Sequence, residues 1–224
     1  MADLPILFSG PMVRGLIREV ERPGTGKTQT RRVLKPQPTM HAAGDCTIGG
    51  HRGPVDYLMR EIYPQHLARF RKGDRLWVKE TWRTEARHDA VKPTELPRAA
   101  LISFDADHLQ EPNDGCRGRT RVSIHMPRWA SRLTLTVTDV RVQRLQECSR
   151  EDAAAEGLIR LRATGRYVIA KGDQYFGDAH HDPRVVYGWL WDQINGDGSW
   201  ASNPWIVALT FTVERRNIDA ARAA

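Results

Sequence analysis

The chain opens with a short apolar run, Ile6-Leu7-Phe8, and then places Met12, Val13, Leu16, Ile17 and Val20 three and four residues apart. The run reads as a strand. The spaced set reads as one face of a helix, with Pro11 in its first turn and Pro23-Gly24-Thr25-Gly26 as its stop. Three later stretches alternate with period two, as a strand between a core and a second face does. Arg75 to Trp82 sets Leu76, Val78 and Glu80 against Trp77, Lys79 and Thr81. Ser131 to Leu145 sets Leu133, Leu135 and Val137 against Thr134, Thr136 and Thr138. Pro204 to Glu214 sets Val207, Leu209, Phe211 and Val213 against Ala208, Thr210 and Thr212. A further strand is expected over Ala99 to Phe104. Asp56 to Phe70 carries a helical pattern interrupted at Pro64. Ser149 with Asp152 three residues on fits a capping box, so a short helix is expected over Arg150 to Gly157, with Glu156 in its last turn. Asp182-Pro183 starts another helix, through Val186, Trp189, Leu190 and Ile194, with Trp191 partly off that face and Asn195-Gly196 as its stop. Alternating strands with few short helices predict an α+β fold built on a small barrel with helices at its rim, rather than a doubly wound sheet. A single domain over 1–224 is expected, with insertions around 36–70, 83–120 and 160–182.

Composition narrows the partners. The 224 residues carry 34 Lys plus Arg against 27 Asp plus Glu, a net charge of +7, which favours polyanions. Because 28 of the 34 cations are Arg, a GC-rich genome accounts for the same excess. No apolar run approaches the ~18 residues of a membrane span, and MADLPILFSG lacks the basic lead of a signal peptide, so a cytoplasmic protein with no membrane partner is expected. Cys46, Cys116 and Cys148 stand far apart and read as reduced thiols. His180-His181 with Asp178 and Asp182 offers too few spaced ligands for a metal, so no metal and no cofactor are expected.

Gly24-Thr25-Gly26-Lys27-Thr28 superficially matches a phosphate-binding loop, but the pattern needs Gly where Glu21 stands, and the segment follows a helix rather than a strand. Read as a unit, Gly26 to Arg32 sets an amine, two hydroxyls and two guanidiniums within seven residues. Thr30 is a nucleophile only if a base takes its proton. Lys27 can serve if burial or the neighbouring Arg31 and Arg32 lower its pKa. A bland alternative is a solvated basic edge strand. Trp82, Arg128 and Trp129 combine aromatic faces with a guanidinium and are candidates for stacking bases, alongside Arg31 and Arg32.

The short helix, the G-K-T-x-T-x-R string, Gly73-Asp74-Arg75-Leu76, the Thr-rich strand and the Ser-capped helix ending at Glu156 together resemble the ASCH family, whose fold is a PUA-like barrel. PILFSGPMVR, HMPRWASR and WDQINGDGSWASNPW resemble a longer subgroup of that family found in bacteriophages and prophages. The resemblance implies an amidohydrolase acting on N4-acylated cytidine, such as N4-acetylcytidine. Lys27 would be the base, Thr30 the nucleophile and Glu156 the acid, and Arg32 would hold an oxyanion or phosphate. It leaves open a non-catalytic RNA- or DNA-binding module, or a ribonuclease. The expected partner is a modified nucleoside, RNA or DNA.

Overall fold

The computed structural model describes residues 1–41, 44–107 and 117–220; Cys116 lies outside them. Five strands form the central sheet: β1 (Asp3–Leu7), β2 (Gln29–Val33), β3 (Arg75–Lys79), β4 (Thr134–Arg144) and β5 (Trp205–Glu214). Their spatial order is β1-β3-β4-β5-β2, with β1 parallel to β3 and every other neighbouring pair antiparallel. Three α-helices accompany it: α1 (Gly10–Glu21), α2 (Arg150–Ala155) and α3 (Pro183–Asn195).

The sheet does not close. Strands β1 and β2 end it on either side and no ladder joins them. A cleft of about 430 Å³, walled by Ile6, Leu7, Val33, Leu34, Phe70 and Leu209 among others, separates the two edges. Arg32 reaches across it, with Nη2 donating to the Leu7 carbonyl at 2.6 Å. The expected PUA-like barrel is therefore corrected to an open mixed sheet, and the ASCH resemblance, which requires closure, is overturned with it. Alternation reports which side chains face a core, and that report is the same for a closed barrel and a curled, open sheet.

Helix α1 lays Val13 and Leu16 on one face of the sheet, against Ile6, Phe8, Leu76, Val78, Leu135, Val137, Leu209 and Phe211. On the other side, Ala153 of α2 and Val186, Tyr187 and Trp191 of α3 pack with Ile206 and Ala208 of β5. Strand β5 is thus covered on both faces, which is why its first residues read as a nearly unbroken apolar run. The α3 stripe differs from expectation: Trp191 is buried, whereas Trp189 is 38% exposed and Ile194 51%. Apolar residues occur all round this helix, so spacing alone does not choose its inner face.

Three stretches resolve differently from expectation. Thr39–Met40, Asp45–Ile48 and His51–Pro54 form an antiparallel meander within the insertion expected around 36–70. Tyr57–Leu67 is a π-helix containing Pro64, closed by the Ala68 amide donating to the Tyr63 carbonyl. The strand expected over 99–104 shrinks to Ser103–Phe104, paired with Trp82–Arg83. Strands of two to four residues are too short to impose a readable period. Among the described residues no helix is long and apolar enough to cross a membrane.

The segment between α1 and β2 is clamped from three sides. The Lys27 amide donates to the Gly15 carbonyl of α1 at 2.9 Å, the Thr28 amide to Ala155 of α2 at 2.9 Å, and the Phe211 amide of β5 to the Thr28 carbonyl at 2.9 Å. Gly24 and Gly26 donate their amides to the Glu19 carboxylate at 2.9 and 2.8 Å. A Cβ on Gly26 would stand 2.3 Å from the Glu19 amide nitrogen and 2.4 Å from the Gly15 carbonyl oxygen, both rigid backbone atoms. Gly26→Ala is therefore expected to destabilise the fold by about 3 kcal/mol or more, read as a lower urea midpoint, whereas Gly24→Ala, which meets nothing within 4 Å, loses only the benefit of its positive φ.

Candidate functional site

Strand and helix periodicities meet at one point. Asp152 and Glu156 are four residues apart, so α2 and its C-cap present both carboxylates on one face. Gln29 and Arg31 are two apart on β2, and Lys27 precedes them with the same spacing, bridged to Glu156. The two rows interlock. Lys27 Nζ lies 2.6 Å from Glu156 Oε2 and also donates to the Glu156 backbone carbonyl at 2.9 Å. Arg31 Nη1 donates to Glu156 Oε1 at 2.8 Å. Asp152 accepts from Gln29 Nε2 at 2.8 Å and from Arg141 Nη2 at 3.0 Å. Arg31 Nη2 lies 2.9 Å from Asp152 Oδ2, an ion pair by distance, but off the hydrogen-bonding direction. Lys27 is only 1% exposed, and its stem passes between Gly15 and Gly157, where added Cβ atoms would stand 3.1 and 3.0 Å from its own Cβ.

The electrostatics follow from burial. Removal from water pushes the Lys27 ammonium below its usual value, while the Glu156 charge pulls the other way. Burial also works to raise the Asp152 carboxyl, but hydrogen bonds from Arg141 and Gln29 and the charge of Arg31 outweigh it and hold the group below its ordinary range. Tyr187 stays a phenol, raised well above its usual value first by burial and then by the Glu156 charge. Burial pushes the Cys148 thiol up to about 12 against the pull of Arg31, so it is no nucleophile at neutral pH.

This network forms the floor of a cavity of about 480 Å³. Lys27, Thr30, Arg31, Arg32 and Glu156 all line it, so five of the eight residues expected from the sequence are brought together. Lys35, and Tyr187, Leu190 and Trp191 of α3, also line it and had not been singled out as site residues. The spacing of Tyr187 and Trp191, four apart, was the available signal. Trp191 Nε1 and Arg31 Nε are buried without a hydrogen-bond partner. Arg32, half-buried over the Phe8 ring at 5.4 Å, and the exposed Lys35 pair with no carboxylate among the described residues.

The other three expected residues lie elsewhere. Trp82 is wholly buried with Leu96, Met126 and Ala130, and Trp129 packs against the same cluster. Arg128 is held by Asp3 and Asp219, each at 2.6 Å. Among the described residues no group of three or more His, Cys, Asp or Glu side chains could hold a metal.

No family model, curated protein or solved structure matches the chain. The amidohydrolase activity was carried by the ASCH resemblance and falls with the barrel. In the structure the Lys27 amine donates to both a carboxylate oxygen and the backbone carbonyl of Glu156, and Arg31 donates to the other carboxylate oxygen.

Two measurements check the network. Glu156→Ala leaves Lys27 and Arg31 buried without their shared anion, and a loss of about 3–5 kcal/mol in unfolding free energy is expected. For Asp152 the folded pKa lies below the ordinary 3.8, so below that pH the unfolded chain binds a proton that the folded one refuses. Its contribution is complete above pH 3.8 and is lost as pH falls through the folded value. The gap in urea midpoint between wild type and Asp152→Asn should accordingly narrow below pH 4 and stay constant from pH 5 to 7.

Proposed function

We propose that the chain is a nucleotide-recognising protein with nucleic acid as its partner, and that the Lys27–Glu156 cavity takes one nucleotide. The observation that carries this reading is the polarity of the cavity. Its outer part holds Arg32 and Lys35, two cations without carboxylate partners among the described residues, and its floor holds a carboxylate already clamped by Lys27 and Arg31. A phosphate is drawn to the first and excluded from the second. The base then lies inward, against Tyr187, Leu190 and Trp191, where stacking on aromatic faces is favourable and insensitive to base identity.

Glu156 has about four lone-pair directions; Lys27 and Arg31 occupy two, and the Tyr187 hydroxyl bears on a third. What remains accepts from an exocyclic amine, while the unpartnered Trp191 indole donates. The volume is within the roughly 300–1,000 Å³ of small-molecule sites, and the net charge of +7 supplies long-range attraction to a polyanion.

Titration of the protein with nucleoside 5′-monophosphates, followed by tryptophan fluorescence, tests the reading. Saturable binding is expected to weaken with salt. Replacing Arg32 and Lys35 together by Gln should cost about tenfold or more in affinity and flatten the salt dependence. Absence of saturable binding to the wild type, or unchanged affinity in the double variant, overturns it.

A further inference from the structure

The nucleotide cavity has a neighbour. The cleft between the outer edges of β1 and β2 shares Arg32, Val33 and Lys35 with it, so the two hollows meet at a ridge that carries both cations lacking a carboxylate partner among the described residues. We infer that this cleft is a second nucleotide subsite, and that the natural ligand is a strand whose bridging phosphate sits on the Arg32–Lys35 ridge with one base on either side. The inference rests on the nucleotide reading of the first cavity.

The walls suit a base. They are apolar, and the Arg69 guanidinium lies 5.1 Å from the centroid of the Phe70 ring, with both residues lining the cleft. This is a cation and an aromatic face on the same wall, the combination that binds single-stranded nucleic acid through charge and stacking together.

A cleft between two free strand edges would ordinarily invite an extended peptide, which adds as a further strand. The β1 edge is unsuited to that. In the parallel pairing with β3, the Phe8 amide donates to Lys79 and the Ala2 carbonyl accepts from Arg75, so even-numbered residues point their backbone groups at β3. Odd-numbered residues therefore face the cleft. Of these, Pro5 has no N–H, and the Leu7 carbonyl is already taken by Arg32. On the opposite side, the Leu34 amide donates to Trp205 and the Thr28 carbonyl accepts from Phe211, which turns the backbone of Val33 outward. One edge is interrupted as a peptide ladder, and of the outward-facing residues of β2 only Val33 lines the cleft, with one donor and one acceptor for the rim of a base.

The test compares adenosine 5′-monophosphate with 5′-phosphorylated adenylyl-adenosine on the full chain. The dinucleotide should bind about tenfold or more tightly than the mononucleotide. Phe70→Ala should abolish that gain and leave mononucleotide affinity unchanged. Arg69→Glu, at an exposed position over the Phe70 ring, replaces a cation of the cleft wall by an anion and should do the same if Phe70→Ala does not fold. Equal affinity of the two ligands, a gain that survives both substitutions, or displacement of the dinucleotide by an extended peptide overturns the second subsite. Failure of the mononucleotide itself to bind the wild type overturns instead the reading on which it rests.

Discussion

The Glu156 carboxylate holds two cations that would otherwise repel each other inside the molecule. Lys27 and Arg31 approach it from the same short segment, at sequence separations of 129 and 125 residues. An unpaired ammonium or guanidinium is very costly to bury, so that segment can enter the interior only if the distant carboxylate is there to meet it. The same pairing puts α2 against the start of β2 and thereby positions β2 at the sheet edge. The cavity, its floor of opposite charge and its cationic rim all derive from this arrangement. The glycines on either side of Lys27 have the same origin: a side chain at Gly15 or Gly157 would press on the lysine stem.

Much of the framework was legible in the sequence. The long strand β4 and strand β5 announce themselves by alternation, α1 by its apolar spacing, and α2 by Ser149, whose hydroxyl accepts from the Asp152 amide at 3.1 Å. What alternation cannot report is whether the first and last strands of a sheet meet. Closure depends on curvature and on what fills the gap. Here the gap stays open, walled by the side chains of Leu7, Val33 and Phe70 and crossed by one guanidinium, none of which leaves a periodic trace. The meander within 36–55 was invisible for a different reason, since two-residue and four-residue strands carry too few positions to establish a period.

The candidate site was legible in half. The cluster of cations and hydroxyls at 27–32 stands out on composition. The facing carboxylates do not, because acidic residues four apart on a short helix more often face solvent. Their meaning emerges only when the row on the helix is set against the row on the strand. Trp82 and Trp129 illustrate the opposite error: tryptophan next to arginine suggests stacking on a ligand, yet Trp82 is met internally by the distant Arg121 over its ring at 5.4 Å, and Arg128 is taken by Asp3 and Asp219. Trp189 and Trp191 exchange roles because a helix apolar on every side gives no inner direction until its neighbours supply one.

The glycine-lysine-threonine string after α1 carries one more lesson. A loop of backbone amides attracts phosphate only while those amides are vacant, and here Glu19, a few residues upstream, occupies two of them. The side chain behaves as a tethered competitor, always present and never diluted away. A string that pattern matching would assign to triphosphate chemistry is thus self-quenched, and its anion-seeking capacity is spent on holding the chain's own turn in shape.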